Sequence, residues 1–306
     1  MKRRDFLKNS LALGLAGYAL PSFVKAGNWL GSPSGLALPY DLVAIKGGEA
    51  DVMFEKAIAS LGGMGKFVKK GQTVVVKPNI GWDVIPERAA NTNPKLVATI
   101  VKHCLAAGAK SVHVFDNTCD TWSKCYANSG IEKAAKDAGA KVVPGNTESY
   151  YQEVDIKSGK KLLKAKVHEL ILSSDVFINV PVLKSHMSAK LTISMKNLMG
   201  IVWDRGYWHK NNLNQCIADF ASYRKPDLNI VDAYAVMTKH GPRGISKNDV
   251  VMMKSQIISA DMVALDTAAA KLCGKELSDV SYLAMAEQLG VGTTNLSSLK
   301  INKIIL

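Results

Sequence analysis

Lysine, histidine and asparagine recur in this chain just past runs of apolar residues. Lys77 and Asn79 follow Thr73–Val76, Lys184 and His186 follow Val176–Val180 and its break at Pro181, and Lys196-Asn197 precede a glycine stop at Gly200. Asp116 and Asp232 stand at the ends of two further apolar runs, and His209 closes an aromatic group of Trp203, Tyr207 and Trp208. Ammonium groups bind carboxylate or phosphate, asparagine amides orient it, and an imidazole or amine of suitable pKa moves a proton. Lys184 and His186 are therefore the candidate catalytic pair. Lys77, Asn79, Asp116, Lys196, Asn197, His209 and Asp232 are the candidate ligand-binding set. Any one of these lysines, taken alone, reads as a side chain reaching solvent from a loop. Their shared position after strands argues for a joint site.

A metal is a second option for the same residues. His186 and His209 with Asp204 or Asp232 supply suitable donors, but no His-x-x-x-His spacing supports them. Cys119 and Cys125 lie in a polar loop and could pair, hold a metal, or do neither. The glycine-rich dinucleotide fingerprint, the phosphate-binding loop, the Gly-x-Ser-x-Gly elbow and a four-cysteine ferredoxin run are absent.

The elements that must carry these residues alternate. Strands are expected at Leu42–Ile45, Thr73–Val76, Ser111–Phe115, Lys141–Val143, Val176–Val180, Leu228–Val231, Ser255–Ser259 and Lys300–Ile304. Helical spacing recurs between them, as in Ala50–Leu61, Met262–Leu272 and Tyr282–Leu289. Asn93 and Pro94 have the chemistry of an N-cap and a first helical residue. Thr73–Val76 is a continuous β-branched run, suited to a strand covered on both faces. The expected fold class is α/β, a three-layered, mostly parallel sheet with helices on both faces. Turn signals around residues 145–174 predict a small antiparallel insertion. Lys184, Ser185 and His186 are expected in a loop, and Leu191–Met199 in a helix. In a parallel sheet the carboxyl ends of the strands share one edge, which is how residues so far apart in sequence could meet.

The chain has 306 residues and a formal charge of +13, with five cysteines. Residues 1–26 read as an export signal: Lys2-Arg3-Arg4-Asp5-Phe6-Leu7-Lys8 is basic, and Leu11–Val24 is apolar but short of the ~20 residues of a spanning helix. The arginine pair followed by Phe6-Leu7-Lys8 resembles a twin-arginine signal. Export through that machinery to the periplasm, with no membrane span left after cleavage, is the expectation. Residues 27–39 would be a linker and 40–306 a single domain. The remaining basic charge suits a solvated surface or an anionic ligand. Its scatter argues against nucleic acid. Cys104, Cys216 and Cys273 fall on apolar helix faces and read as core residues.

Lys77-Pro78-Asn79, Pro181-Val182-Leu183-Lys184-Ser185-His186, Lys196-Asn197-Leu198-Met199-Gly200, His209, Val231-Asp232 and Gly241-Pro242, in that order, resemble the family called domain of unknown function 362. The resemblance covers roughly residues 40–290. Many members carry a ferredoxin-like iron–sulfur module, so it implies an association with redox chemistry and a possible cluster or metal; this chain lacks that module. The resemblance marks the site residues without assigning them roles. Two functions follow as expectations: an exported, redox-associated enzyme or binding protein for a small anion, or a non-catalytic partner or electron-transfer subunit of an exported or membrane redox complex, docking through Trp203–Trp208.

Overall fold

The computed structural model describes residues 37–306, so the expected signal of residues 1–26 and most of the expected linker of residues 27–39 lie outside the described residues. Among the described residues twelve strands and ten α-helices follow in order: β1 (Leu42–Lys46), α1 (Ala50–Ser60), β2 (Thr73–Pro78), α2 (Pro94–Ala106), β3 (Ser111–Val114), α3 (Trp122–Asn128), α4 (Ile131–Asp137) and β4 (Lys141–Val142). Then come β5 (Tyr151–Asp155), β6 (Lys164–His168), α5 (Glu169–Ser173), β7 (Val176–Val180), β8 (Val182–His186), β9 (Lys190–Thr192), α6 (Ser194–Asn197) and α7 (Gly206–Lys210). The chain closes with α8 (Leu213–Tyr223), β10 (Leu228–Met237), β11 (Val250–Ser259), α9 (Met262–Leu272), α10 (Tyr282–Gln288) and β12 (Ile301–Ile305).

Ten strands form one sheet with the path β12-β1-β11-β10-β7-β2-β3-β4, to which β8 and β9 attach at β10. The pairs from β10 through β7, β2 and β3 to β4 are parallel, while β11 runs antiparallel to both β1 and β10. This is the expected mostly parallel α/β architecture. Strand periodicity builds its two cores. Val74 and Val76 point into a cluster with Phe54 of α1, Ile100 of α2 and Ile131 of α4; Val75 points the other way, into a cluster with Phe220 of α8, Val263 of α9 and Leu283 of α10. Asn93 caps α2 by accepting from the Lys95 amide at 2.9 Å, with Pro94 at the first turn. The insertion is the two-stranded antiparallel sheet β5–β6.

Four local expectations are corrected. Cys125, expected in a loop with Cys119, is a buried residue of α3. Residues 182–186 are a strand, β8. Pro181 lacks the N–H that would continue the ladder, but its carbonyl still accepts from the Asp232 amide at 2.9 Å. The chain thus resumes beside β10 and turns back as β9. Leu191–Met199 is not one helix: Leu191 belongs to β9, α6 is a single turn, and a 3₁₀ turn covers Leu198–Ile201. The alternation of Leu191 with Ile193 outweighs its helical spacing because β8 offers an edge to pair. Finally, β10 does not end at Asp232 but runs on to Met237, with a bulge between Ala233 and Ala235.

Candidate functional site

The carboxyl ends of β7, β2 and β3 lie side by side, because Lys77 pairs in register with Asn179 and Val76 with Val114. Lys77 is the penultimate residue of β2, and Asp116 follows β3 by two residues. Both are buried, and Lys77 Nζ lies 2.9 Å from Asp116 Oδ1. Asn197 Oδ1 accepts a second bond from Nζ at 2.9 Å, and the Ile80 amide donates to Asp116 Oδ2 at 2.7 Å. Burial lowers the Lys77 pKa and raises that of Asp116, while each charge opposes the other's shift. Asn197 is held in turn: its Nδ2 donates to Asn179 Oδ1 at 2.8 Å, and its Oδ1 also accepts from Asn79 Nδ2 at 3.0 Å. Gly200 packs directly on this pair. A Cβ there would stand 1.8 Å from Asp116 Oδ1 and 2.5 Å from Lys77 Nζ, so only glycine fits.

Lys184 reaches the same place from β8. It is 1% exposed, and its Nζ donates to Asn79 Oδ1 at 3.1 Å and to the Ala90 carbonyl oxygen. Neither acceptor carries a charge. Burial brings its pKa down to about 7. Lys196, on α6, is half-buried and makes no hydrogen bond or ion pair among the described residues; burial lowers it to about 8. Arg205, just before α7, donates to the carbonyl oxygens of Asn117 at 2.8 Å and Thr118 at 2.6 Å, and its Nη1 lies 3.4 Å from Cys119 Sγ.

His186 ends β8, where its Nδ1 accepts from the Ser188 and Ala189 amides, each at 3.2 Å. Those bonds leave the ring proton on Nε2. Burial, with Lys196 and Lys184 adding to it, presses the His186 pKa down to about 3, so the ring is neutral near pH 7. His209 on α7 is exposed and lies nearly parallel to it, with centroids 6.5 Å apart.

These residues line one open crevice of about 450 Å³, together with Trp82, Met187 and Met199. Eight of the nine sequence candidates are there: Lys77, Asn79, Asp116, Lys184, His186, Lys196, Asn197 and His209. Arg205 is the residue that sequence reasoning missed. It sits inside the aromatic segment singled out above, but only its contacts with residues 117–119 distinguish it, and those are not local. The ninth candidate, Asp232, is elsewhere. Its carboxylate accepts from the Asn93 amide at 2.7 Å and the Tyr234 amide at 3.1 Å, tying β10 to the start of α2, and burial pushes its pKa up to about 6. Asp232 lies in the middle of β10, which runs on to Met237, and not at a strand end.

A metal or cluster does not fit these residues. No group of three or more His, Cys, Asp or Glu side chains that could hold an ion occurs among the described residues. Cys119 is exposed and Cys125 buried, both as free thiols, and Cys125 Sγ faces the Gly81 carbonyl at 3.8 Å. Asp204 accepts from the Tyr207 amide at 3.2 Å. No helix among the described residues is long and apolar enough to cross a membrane.

A thylakoid-associated protein of Synechocystis is 27% identical over 242 residues, which are 76% of this chain and 73% of that protein. The structure of the lactate racemase apoprotein from Thermoanaerobacterium thermosaccharolyticum superposes with a TM-score of 0.47 at 12% identity, over 78% of this chain and 57% of the other. A protein from Thermotoga maritima gives 0.48 at 12% identity, over 73% and 58%. The chain thus spans under two thirds of either solved structure. The family model described as domain of unknown function (DUF362) matches residues 74–271, the stretch that holds β3, β7, β8, α6, all of β2 but Thr73, and every residue of the crevice, and the chain belongs to that family.

Proposed function

We propose that the crevice binds a small carboxylate or phosphate and moves a proton on it. One observation carries this reading: Lys184, Lys196 and Arg205 line a single cavity, and among the described residues none has a carboxylate within ion-pair distance. Unpaired cations that have lost part of their hydration gain from an arriving anion. Lys77 is excluded from the anion-holding role because Asp116 already neutralises it. Asn79 and Asn197 hold the two lysines in place, and the His186 Nε2–H is a neutral donor toward the ligand. With its pKa about 7, Lys184 is suited to accept or release a proton at neutral pH. Binding should be read by calorimetry with inorganic phosphate, sulfate and short mono- and dicarboxylates. Lys196→Met should weaken binding about tenfold or more, the scale of a charge-assisted hydrogen bond. Equal affinity in that variant would overturn the reading.

Export by the twin-arginine route remains part of the proposal on the strength of Arg3-Arg4 and the segment after them. A thylakoid-associated relative favours work beside a membrane. A reporter fused after residue 26 should stay inside cells when both arginines become lysine. The reading as an accessory redox partner has less support. Trp208 packs into the core against Phe220 and Trp203 rests on Tyr151, which leaves Tyr207 as the exposed ring of that segment.

A further inference from the structure

We infer that Lys184 is an amine nucleophile whose partners are small 2-oxo acids, compounds with a carbonyl next to a carboxylate. The inference rests on the anion-site reading and gives its ligand a chemical class. The geometry is particular. Nζ has two hydrogen-bond acceptors, Asn79 Oδ1 and the Ala90 carbonyl, and a neutral amine has two N–H groups to satisfy them. The lone pair is then the remaining feature of the nitrogen, on a side chain that lines the crevice. No carboxylate among the described residues lies within ion-pair distance of Nζ, Asp116 acting only from farther off, and Lys196 adds a positive charge in the same cavity, an arrangement that activates lysines toward carbonyl compounds. Lys196 and Arg205 offer cations for the adjoining carboxylate. Trp82, Met187 and Met199 offer apolar contact for a short carbon chain.

The chemistry balances without any added oxidant or reductant. The Nζ–carbon bond forms as the carbonyl C–O bond breaks. The oxygen leaves as water with both amine protons, and one proton taken from solvent makes the iminium. Its single N–H keeps Asn79 Oδ1 as acceptor. The positive iminium then sits beside the bound carboxylate and withdraws electrons from the neighbouring carbon. That is the state from which a proton is lost from the carbon next to the iminium, where the substrate carries one there.

The test is reductive trapping of the full chain. Protein is mixed with pyruvate or glyoxylate, treated with cyanoborohydride, digested, and the modified lysines mapped by mass spectrometry, with phosphate calorimetry on the same preparation. Modification should fall on Lys184 at least ~10-fold above an exposed lysine such as Lys133, because an amine of pKa about 7 is half free at neutral pH while an ordinary lysine is almost wholly protonated. It should rise with pH through 7 and be suppressed by phosphate. Lys196→Met should reduce it several-fold, and Lys184→Met should abolish it. Mapping on the wild-type chain decides the matter even if Lys184→Met does not fold. Phosphate binding with modification spread evenly over surface lysines would overturn the nucleophile inference and leave the anion site standing. Preferential Lys184 modification without phosphate binding or competition would support the amine chemistry and overturn the anion-site reading. Even modification together with no binding would overturn both.

Discussion

Lys77 and Lys184 are each 1% exposed, each sits on a strand of the main sheet, and each donates to an asparagine side-chain oxygen. They differ in one partner. Lys77 has Asp116 at 2.9 Å, whereas Lys184 has the Ala90 carbonyl. A carboxylate in contact supplies a full opposing charge and a carbonyl only a dipole, so burial meets less opposition at Lys184, where Cys119 and Asp116 act only from a distance. The first lysine is fixed as half of an ion pair that holds β2, β3 and Gly200 together. The second remains an amine whose charge depends on what enters the crevice. Motif spacing treats both lysines alike, because each is simply a lysine following an apolar run.

The largest expected effect breaks the Lys77 side. Asp116→Asn leaves a buried ammonium unpaired and should cost about 3–5 kcal/mol, read as a lower denaturant midpoint with an unchanged slope. A loss under ~1 kcal/mol would mean that Lys77 releases its proton as Lys184 does, and the contrast would fail. Gly200→Ala should cost about 1–3 kcal/mol by overpacking the same pair, also read from the midpoint.

The Lys184 side is sharpened by pH. Its folded pKa of about 7 lies below the ~10.4 of an unfolded lysine, so between those values the unfolded chain binds the additional proton and stability rises with pH. Lys184→Met removes that term. Relative to the variant, the wild type should therefore gain stability from pH 7 to about 10 and show a constant difference below pH 6. A flat difference across the upper window would place a counter-charge on Lys184 that the geometry does not contain. Phosphate affinity should fall over the same range as Lys184 and Lys196 lose their protons.

Smaller still, Lys196→Met should leave stability within about 0.5–1 kcal/mol, so any loss of anion binding reports the site and not the fold. Cys119→Ser should change stability by no more than ~0.5 kcal/mol, and thiol titration of the native chain should find Cys119 reactive and Cys125 protected. Those outcomes would separate an exposed crevice thiol from a pair.

Much of the fold is legible because its signals are local. Thr73–Val76 announces a doubly covered strand, and Asn93-Pro94 announces the start of α2. The crevice is legible through one global rule, that parallel strands end on a common edge, which gathers Lys77, Asp116 and Lys184 across the sequence. The misreadings fall where a partner overrides local pattern. β8 resumes after Pro181 because β10 runs long enough to receive it, and that same length carries Asp232 away from the crevice. Arg205 is invisible beforehand because its identity comes from two carbonyls on a distant loop. The different states of Lys77 and Lys184 could not be read either, since they turn on the placement of Asp116.

The position of β1 sets an order on synthesis. Leu42 pairs with Ser259 on one side and with Ile301 on the other. The first of the described strands to emerge from the ribosome therefore waits, with both edges open, for the last two of them to be made. A chaperone that shields residues 42–46 during translation would act on the segment that waits longest. A molecule interrupted before residue 301 would carry an unpaired edge ready to join another chain.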